Sequence, residues 1–175
     1  MIQSKEELED WYNCDDPWKY DNDPHDIKRK EIFFSELPVK NFINVLDIGC
    51  GNGFITNDLP GKSIIGVDYS TKAIEQAKSK CKKNIKFIQA SIFDLNQVFD
   101  KKFDLIVITG VLYPQYIGNA ENLIYALIDN LLEDNGYLVS VHIDDWYKSR
   151  FPYLLIKDYN YEYRNYNHKL EIYIK

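Results

Sequence analysis

The chain has 175 residues and a net charge of −6, and it is 45% hydrophobic, 15% aromatic and 27% charged. That is the length of one domain with a sizeable core, and the composition excludes a disordered or collagen-like chain. No apolar run reaches the roughly 18–20 residues of a membrane span, no apolar leader follows Met1, and Cys14, Cys50 and Cys81 lack the spacing of a zinc site or disulfide framework.

In chain order, residues 1–26 hold nine acids and two bases, a local charge of −7, whereas the remainder is about +1. A nearly neutral body lacks the basic footprint that nucleic acid requires; the one basic cluster, Lys78 to Lys83, reads as a solvated helix end. The expectation is a cytoplasmic protein with neither nucleic-acid nor membrane partner. Residues 1–35 read as an N-terminal helical lid and residues 36–175 as the domain proper. Ile27 to Leu37 is expected to be a helix that Pro38 stops. Asn44 to Ile48 is a short buried strand that runs into a glycine loop, and Phe54 to Leu59 a brief helix cut off by Pro60-Gly61. Ser63 to Val67 is a second strand, and Ser70 caps a helix with Ala73, Ile74 and Ala77 on one face. Lys86 to Gln89 starts a third strand. Phe103 to Thr109 is a fourth, apolar on both faces as a central parallel strand should be. Asn119 to Leu132 is a helix with Leu123, Leu127, Ile128 and Leu131 inward. Asn135-Gly136 ends it, and Tyr137 to Ile143 is a fifth strand.

The tail alternates with period two in Leu154 to Tyr163 and in Lys169 to Ile174, with a turn at 165–167, so an antiparallel hairpin is expected. The sum is an α/β fold: a single-domain, Rossmann-like, doubly wound sheet, mostly parallel, with a C-terminal antiparallel hairpin. Such sheets bind ligands at the carboxyl ends of their strands.

The strongest local signal is Leu46 to Gly53, LDIGCGNG. Its glycines at 49, 51 and 53 permit a tight turn and close ligand approach to the backbone. A dinucleotide fingerprint starting at Gly49 would need glycine where Phe54 stands, and no Lys-Ser/Thr follows to make a phosphate loop. Asp68 ends the next strand, where a carboxylate can accept both hydroxyls of a ribose.

With GVDYS (66–70), FDLIVITGVLY (103–113) and GYLVSVHI (136–143) in the same order, the sequence resembles the class I S-adenosylmethionine-dependent methyltransferases. Through DPWKY (16–20) it looks closest to their NodS-like small-molecule branch. The resemblance implies S-adenosylmethionine as cofactor. It implies that Asp47 helps hold the methionine amino group, that Gly49, Cys50 and Gly51 line the cofactor through backbone, and that Asp68 takes the ribose. Tyr69 would pack on the adenine. Where the family places an acid for the adenine amino group, this chain has Ser91, with Ile92 next, which is a departure. The Thr109 carbonyl would face the methionine amino group, and Trp18 and Tyr20 would close over the cofactor.

Methyl transfer from a sulfonium is an in-line displacement in which the protein aligns the nucleophile and excludes water. A base is needed only where the acceptor must lose a proton. His142 is the candidate base, with a satisfied structural histidine as the alternative. Tyr113 is a candidate for contact with the acceptor. Of Asp144 and Asp145, one is expected to cap a following helix and the other to touch the acceptor. Asp94 and His25 read as loop groups, His168 as part of the hairpin turn, and the Tyr159, Tyr161, Tyr163 stripe as sheet packing. The reading is methyl transfer to N or O of a small molecule. An acidic, aromatic lid suits an amine or hydroxyl metabolite such as an amino sugar. The alternatives are a non-catalytic partner or activator subunit on the same fold, and a nicotinamide-dependent oxidoreductase, which Phe54 disfavours. No metal is expected, and a homodimer is left open.

Overall fold

In the computed structural model the described residues are all but Met1, Asp15, Trp18 and Asp21. The expectation for Trp18 therefore lies outside the described residues.

Seven strands form one sheet: β1 (Asn44–Ile48), β2 (Ser63–Asp68), β3 (Ile85–Gln89), β4 (Phe103–Thr109), β5 (Leu132–Ile143), β6 (Leu154–Tyr163) and β7 (Tyr166–Ile174). Their order is β3-β2-β1-β4-β5-β7-β6. β1 to β5 pair in parallel, and β7 runs antiparallel between β5 and β6. The winding reverses between β1 and β4, so a crevice opens outside their carboxyl ends.

The core is two apolar clusters, one on each face. β4 feeds both: Leu105 and Val107 lie in one cluster, and Phe103, Ile106 and Ile108 in the other. This is why its sequence carries no alternation. One face is covered by helices α2 (Pro24–Glu36) and α3 (Thr71–Ser79) through Phe33, Ile74 and Ala77. The other is covered by α4 (Leu95–Val98), α5 (Pro114–Ile117) and α6 (Glu121–Leu131), through Leu95, Ile117 and Ile128 among others. A further helix, α1 (Lys5–Trp11), starts on a capping box in which Ser4 Oγ accepts from Glu7 N and Glu7 Oε2 accepts from Ser4 N.

The expected architecture holds, with local corrections. The segment after the glycine loop is a single 3-10 turn over Thr56–Asp58, because Pro60 leaves no room for more. Leu123 is half exposed; Ile124 takes the inward place, since the buried stripe is Ile124, Leu127, Ile128 and Leu131 and Leu123 lies about a quarter of a turn from its centre. β5 begins at Leu132, and Asn135 takes a positive φ of 61° within it. The hairpin turn sits at Arg164-Asn165, with Arg164 at φ 52°. His168 therefore lies inside β7, buried opposite Tyr161, and not in the turn. A turn follows β5, so no helix exists for Asp144 or Asp145 to cap. Asp144 pairs instead with Lys148 at 2.7 Å.

Candidate active site

The carboxyl ends of β1 and β2 bring together the residues the glycine loop selects. Gly49, Gly51 and Gly53 have φ of 76°, 53° and 84°, a backbone region that other residues rarely adopt. A Cβ on Gly49 would stand 2.1 Å from Val111 Cγ2, so the loop is both twisted and closely packed. Gly49 N and Cys50 N both donate to Val67 O, which ties the loop to the end of β2.

Asp68 organises this junction. Its Oδ2 accepts from Gly51 N at 2.8 Å and its Oδ1 from Ser70 N at 2.9 Å. Each oxygen keeps a second lone pair. Burial raises its pKa, the Ser70 and Gly51 bonds oppose this, and the charge of Glu9 adds to the rise.

Asp47 is 1% exposed at the end of β1. Thr56 Oγ1 donates to its Oδ2 at 2.6 Å, while Oδ1 is buried without a partner. Burial pushes its pKa up to about 7, against the Thr56 bond and with a contribution from Asp68. A buried, unpartnered carboxylate oxygen beneath a glycine cradle is complementary to a cationic group on a bound molecule.

On the β2 side, Tyr69 is exposed, with Lys5 Nζ 5.7 Å from its ring centroid. Ser91 Oγ accepts from Phe93 N, and Ile92 is half-buried beside it. Asp94 is exposed. On the β4 side, Thr109 is half-buried at the strand end. Tyr113 is buried; its hydroxyl accepts from Ile143 N at 2.8 Å and its ring stands against Trp146 and Tyr116. Its pKa is pushed up to about 12, by burial first.

His142 is 1% exposed near the carboxyl end of β5. Tyr147 lies edge-on to its ring at 5.0 Å, Nδ1 is 3.4 Å from Ser140 Oγ, and Nε2 is 4.0 Å from Glu171 Oε2 with no hydrogen bond. Burial lowers its pKa, against the charges of Glu171 and Asp144, so the ring is neutral at pH 7. His25 is exposed on α2.

Three of the N-terminal acids have partners within the chain. Glu9 is spent on α3, where Thr71 N donates to it at 2.6 Å. Asp23 and Asp26 both take Arg164, and Asp26, fully buried, also takes Arg29 at 3.1 Å and the Tyr163 hydroxyl at 2.9 Å. Asp23 and Asp26 are thus paired with arginine and Glu9 is hydrogen-bonded to α3, so these three acids are already engaged within the chain. Tyr20 stacks on Phe54, centroids 5.1 Å apart, with the Arg29 guanidinium 5.1 Å from the Tyr20 ring. Arg29 also lies 5.4 Å from the Tyr163 ring, and its charge lowers the pKa of His168, whose burial is the larger cause of a fall to about 3.

Sequence reasoning counts Tyr12 among the aromatics of the lid, with Trp11, Trp18 and Tyr20, but passes over Glu9 and Arg29 as site residues. For Glu9 a signal existed: S-K-E-E at 4–7 is a capping box that announces α1. For Arg29 the one local signal was Asp26 three residues before it; its contact with Tyr163, more than a hundred residues away, left none.

Two surface concavities among the described residues lie away from the Asp47–Asp68 junction. One, about 480 Å³, is lined by Ile27, Lys30, Glu31, Phe34 and Phe54. The other, about 500 Å³, lies at the amino ends of β2 and β3 among Lys62, Lys83, Lys86 and Lys101. No group of three or more metal-ligating side chains occurs among the described residues. No described helix is long and apolar enough to cross a membrane.

Comparison with known proteins adds to the geometry. A family model described as a methyltransferase domain matches residues 40–171. The chain is 42% identical over 84 residues to a ubiquinone biosynthesis O-methyltransferase of Pelagibacter ubique, covering 46% of this chain and 35% of that one. It is 29% identical over 132 residues to nodulation protein S of Rhizobium tropici, covering 72% of this chain and 54% of that one. The chain thus spans about a third to a half of the length of these curated relatives. Its fold is similar to that of the N-methyltransferase NodS from Bradyrhizobium japonicum WM9, solved with S-adenosyl-L-homocysteine: TM-score 0.81, 21% identity, covering 98% of this chain and 97% of the other.

Proposed function

The chain belongs to the methyltransferase-domain family, and from that premise we propose that it binds S-adenosylmethionine and transfers its methyl group to N or O of a small molecule. The observation that carries the reading is the junction of β1 and β2. There a positive-φ glycine loop, an unpartnered buried Asp47 oxygen and an Asp68 carboxylate with lone pairs to spare meet at the carboxyl ends of the strands. These residues fit a zwitterionic nucleoside and leave no place for a pyrophosphate, since Phe54 replaces the third dinucleotide glycine.

When bound, the cofactor supplies a sulfonium-borne methyl and a neutral leaving group. In this reading Asp47 and the Thr109 carbonyl take the ammonium of the methionine portion. The backbone of Gly49, Cys50 and Gly51 lies along it, and Asp68 grips the ribose. Tyr69, Ser91 and Ile92 frame the adenine. Tyr20, braced by Phe54 and Arg29, helps close the site.

Residues 1–35 act as the lid; within it α2 is anchored by buried Phe33, so residues 2–14 are the part that can lift. Tyr113 presents its ring to the acceptor while its hydroxyl is held by Ile143 N. His142, neutral and with Nε2 unpartnered, is the proposed base for acceptors that lose a proton. Proximity and water exclusion provide the main rate enhancement.

The test is thermal unfolding with S-adenosylmethionine, S-adenosyl-L-homocysteine or NAD, followed by incubation of labelled S-adenosylmethionine with a fractionated metabolite pool. Stabilisation by the first two compounds and a labelled N- or O-methyl product are expected. Stabilisation by NAD, or cofactor binding without any methylated product, contradicts the reading.

A further inference from the structure

Residues 2–14 run as a strap fastened on both sides of the crevice. On the β4 side, Gln3 N donates to Gln115 O at 2.8 Å, and Ile2 Cδ1 would lie 3.1 Å from a Cβ on Gly118. On the β2 side, Glu9 accepts from Thr71 N at 2.6 Å, Ser70 Oγ at 2.8 Å and Lys72 N at 3.2 Å, and so completes the N-terminal cap of α3. Lys72 Nζ returns a bond to Glu9 O at 3.3 Å, and Gln76 Nε2 donates to Cys14 O at 2.9 Å. Between these fastenings Tyr12 is buried, and its hydroxyl would lie 3.1 Å from a Cβ on Gly51. The strap therefore stands over the stretch of glycine loop along which the proposed cofactor would lie.

The Glu9 contact also continues into the site. Its partner Ser70 donates its N–H to Asp68, and Asp68 accepts from Gly51. An unbroken hydrogen-bonded chain thus joins strap, α3, the Asp68 carboxylate and the glycine loop.

We infer that Glu9 is a positioning residue of the cofactor site: it latches the strap over the glycine loop, closed alike before and after the cofactor enters. The inference rests on the proposed cofactor site at the glycine loop. Burial works against the Glu9 charge, but the Thr71, Ser70 and Lys72 bonds outweigh it and hold its carboxyl below the usual range, so the latch is charged at neutral pH. A molecule reaching Gly51 must lift Tyr12, and lifting it breaks the three Glu9 bonds. A latch of this kind controls ingress and egress alike. Its loss therefore speeds both and leaves Kd nearly unchanged, whereas loss of a direct ligand contact speeds release alone.

The test is stopped-flow binding of S-adenosyl-L-homocysteine to the full chain and to Glu9→Ala and Glu9→Gln, with limited trypsin digestion of each protein alone. Glu9→Ala is expected to raise the association and dissociation rate constants together, by about tenfold for a cap of this strength. Glu9→Gln, which keeps one acceptor oxygen, falls between. Trypsin is expected to cleave Glu9→Ala rapidly after Lys5 while the rest of the chain survives. If Glu9→Ala does not fold, Lys72→Met, which removes the return bond, tests the same direction. Unchanged rates, or a rise in dissociation alone, overturn the latch. If the unaltered chain does not bind S-adenosyl-L-homocysteine, the reading of the site fails, and equal protection of Lys5 in both proteins then overturns the latch separately.

Discussion

Asp47 is a carboxylic acid kept from water with one oxygen idle, and that leaves a mark on stability. Its pKa is 3.8 in the reference state and about 7 when folded. The folded chain binds this proton more tightly than the unfolded chain, so the group's contribution falls as pH rises from about 4 to about 7 and is constant outside that window. Asp47→Asn should therefore gain stability relative to the parent across that interval, by roughly 2–4 kcal/mol in all. Urea unfolding of both proteins at pH 5 and pH 7.5 reads this, and a constant difference would refute it. Asp68 makes the complementary case. Hydrogen bonds to a charged group contribute about 1.5–3 kcal/mol each, so losing two ribose contacts in Asp68→Ala should weaken S-adenosyl-L-homocysteine by about 100-fold or more in calorimetric titration; unchanged affinity would remove the ribose assignment. For His142, Asn substitution should abolish the acidic limb of the pH–kcat profile if the ring accepts the acceptor's proton. A profile of unchanged shape makes it a packing residue against Tyr147 and Glu171.

At the scale of elements, α2 is pinned to the hairpin by charges rather than by apolar burial alone. Asp26, with a fully buried side chain, meets Arg29, Arg164 and the Tyr163 hydroxyl. Removing it leaves Arg29 buried and unpaired, so Asp26→Ala should cost about 3–5 kcal/mol in chemical unfolding; a loss under 1 kcal/mol would show the clamp to be solvated. The Asp26–Arg29 pair at i, i+3 is a spacing that sequence can record, but its closure by Tyr163 and Arg164 was not legible, because those residues lie more than 130 positions away. What was legible were elements whose own pattern fixes them: LDIGCGNG with its forced glycines, FDLIVIT buried on both faces, and the Ser70 cap with Ala73, Ile74 and Ala77 inward, all of which the structure reproduces. Boundaries were less legible. Leu123 reads as inward because it stands four residues before Leu127, yet at about 100° per residue it lies about a quarter of a turn from the centre of the stripe formed by Ile124, Leu127, Ile128 and Leu131, and His168 reads as part of a turn because Asn165 and Asn167 are both turn formers.

For the whole molecule, the parallel sheet, its reversal between β1 and β4 and the antiparallel tail followed from the alternation of strands and helices. The closure of the crevice did not, because it depends on where a seven-residue helix docks. Of residues 2–20 only Tyr12 belongs to the buried apolar core among those described. Deleting them should leave the far-UV spectrum and a cooperative transition in place while turnover is lost; full activity in the truncated chain would exclude a lid. The most direct test of the account as a whole is a crystal structure grown with excess S-adenosyl-L-homocysteine. The account predicts the nucleoside across the ends of β1 and β2, its sugar hydroxyls on Asp68 and its amino-acid portion along Gly49–Gly51. Empty strand ends, or a pyrophosphate in that place, would contradict it.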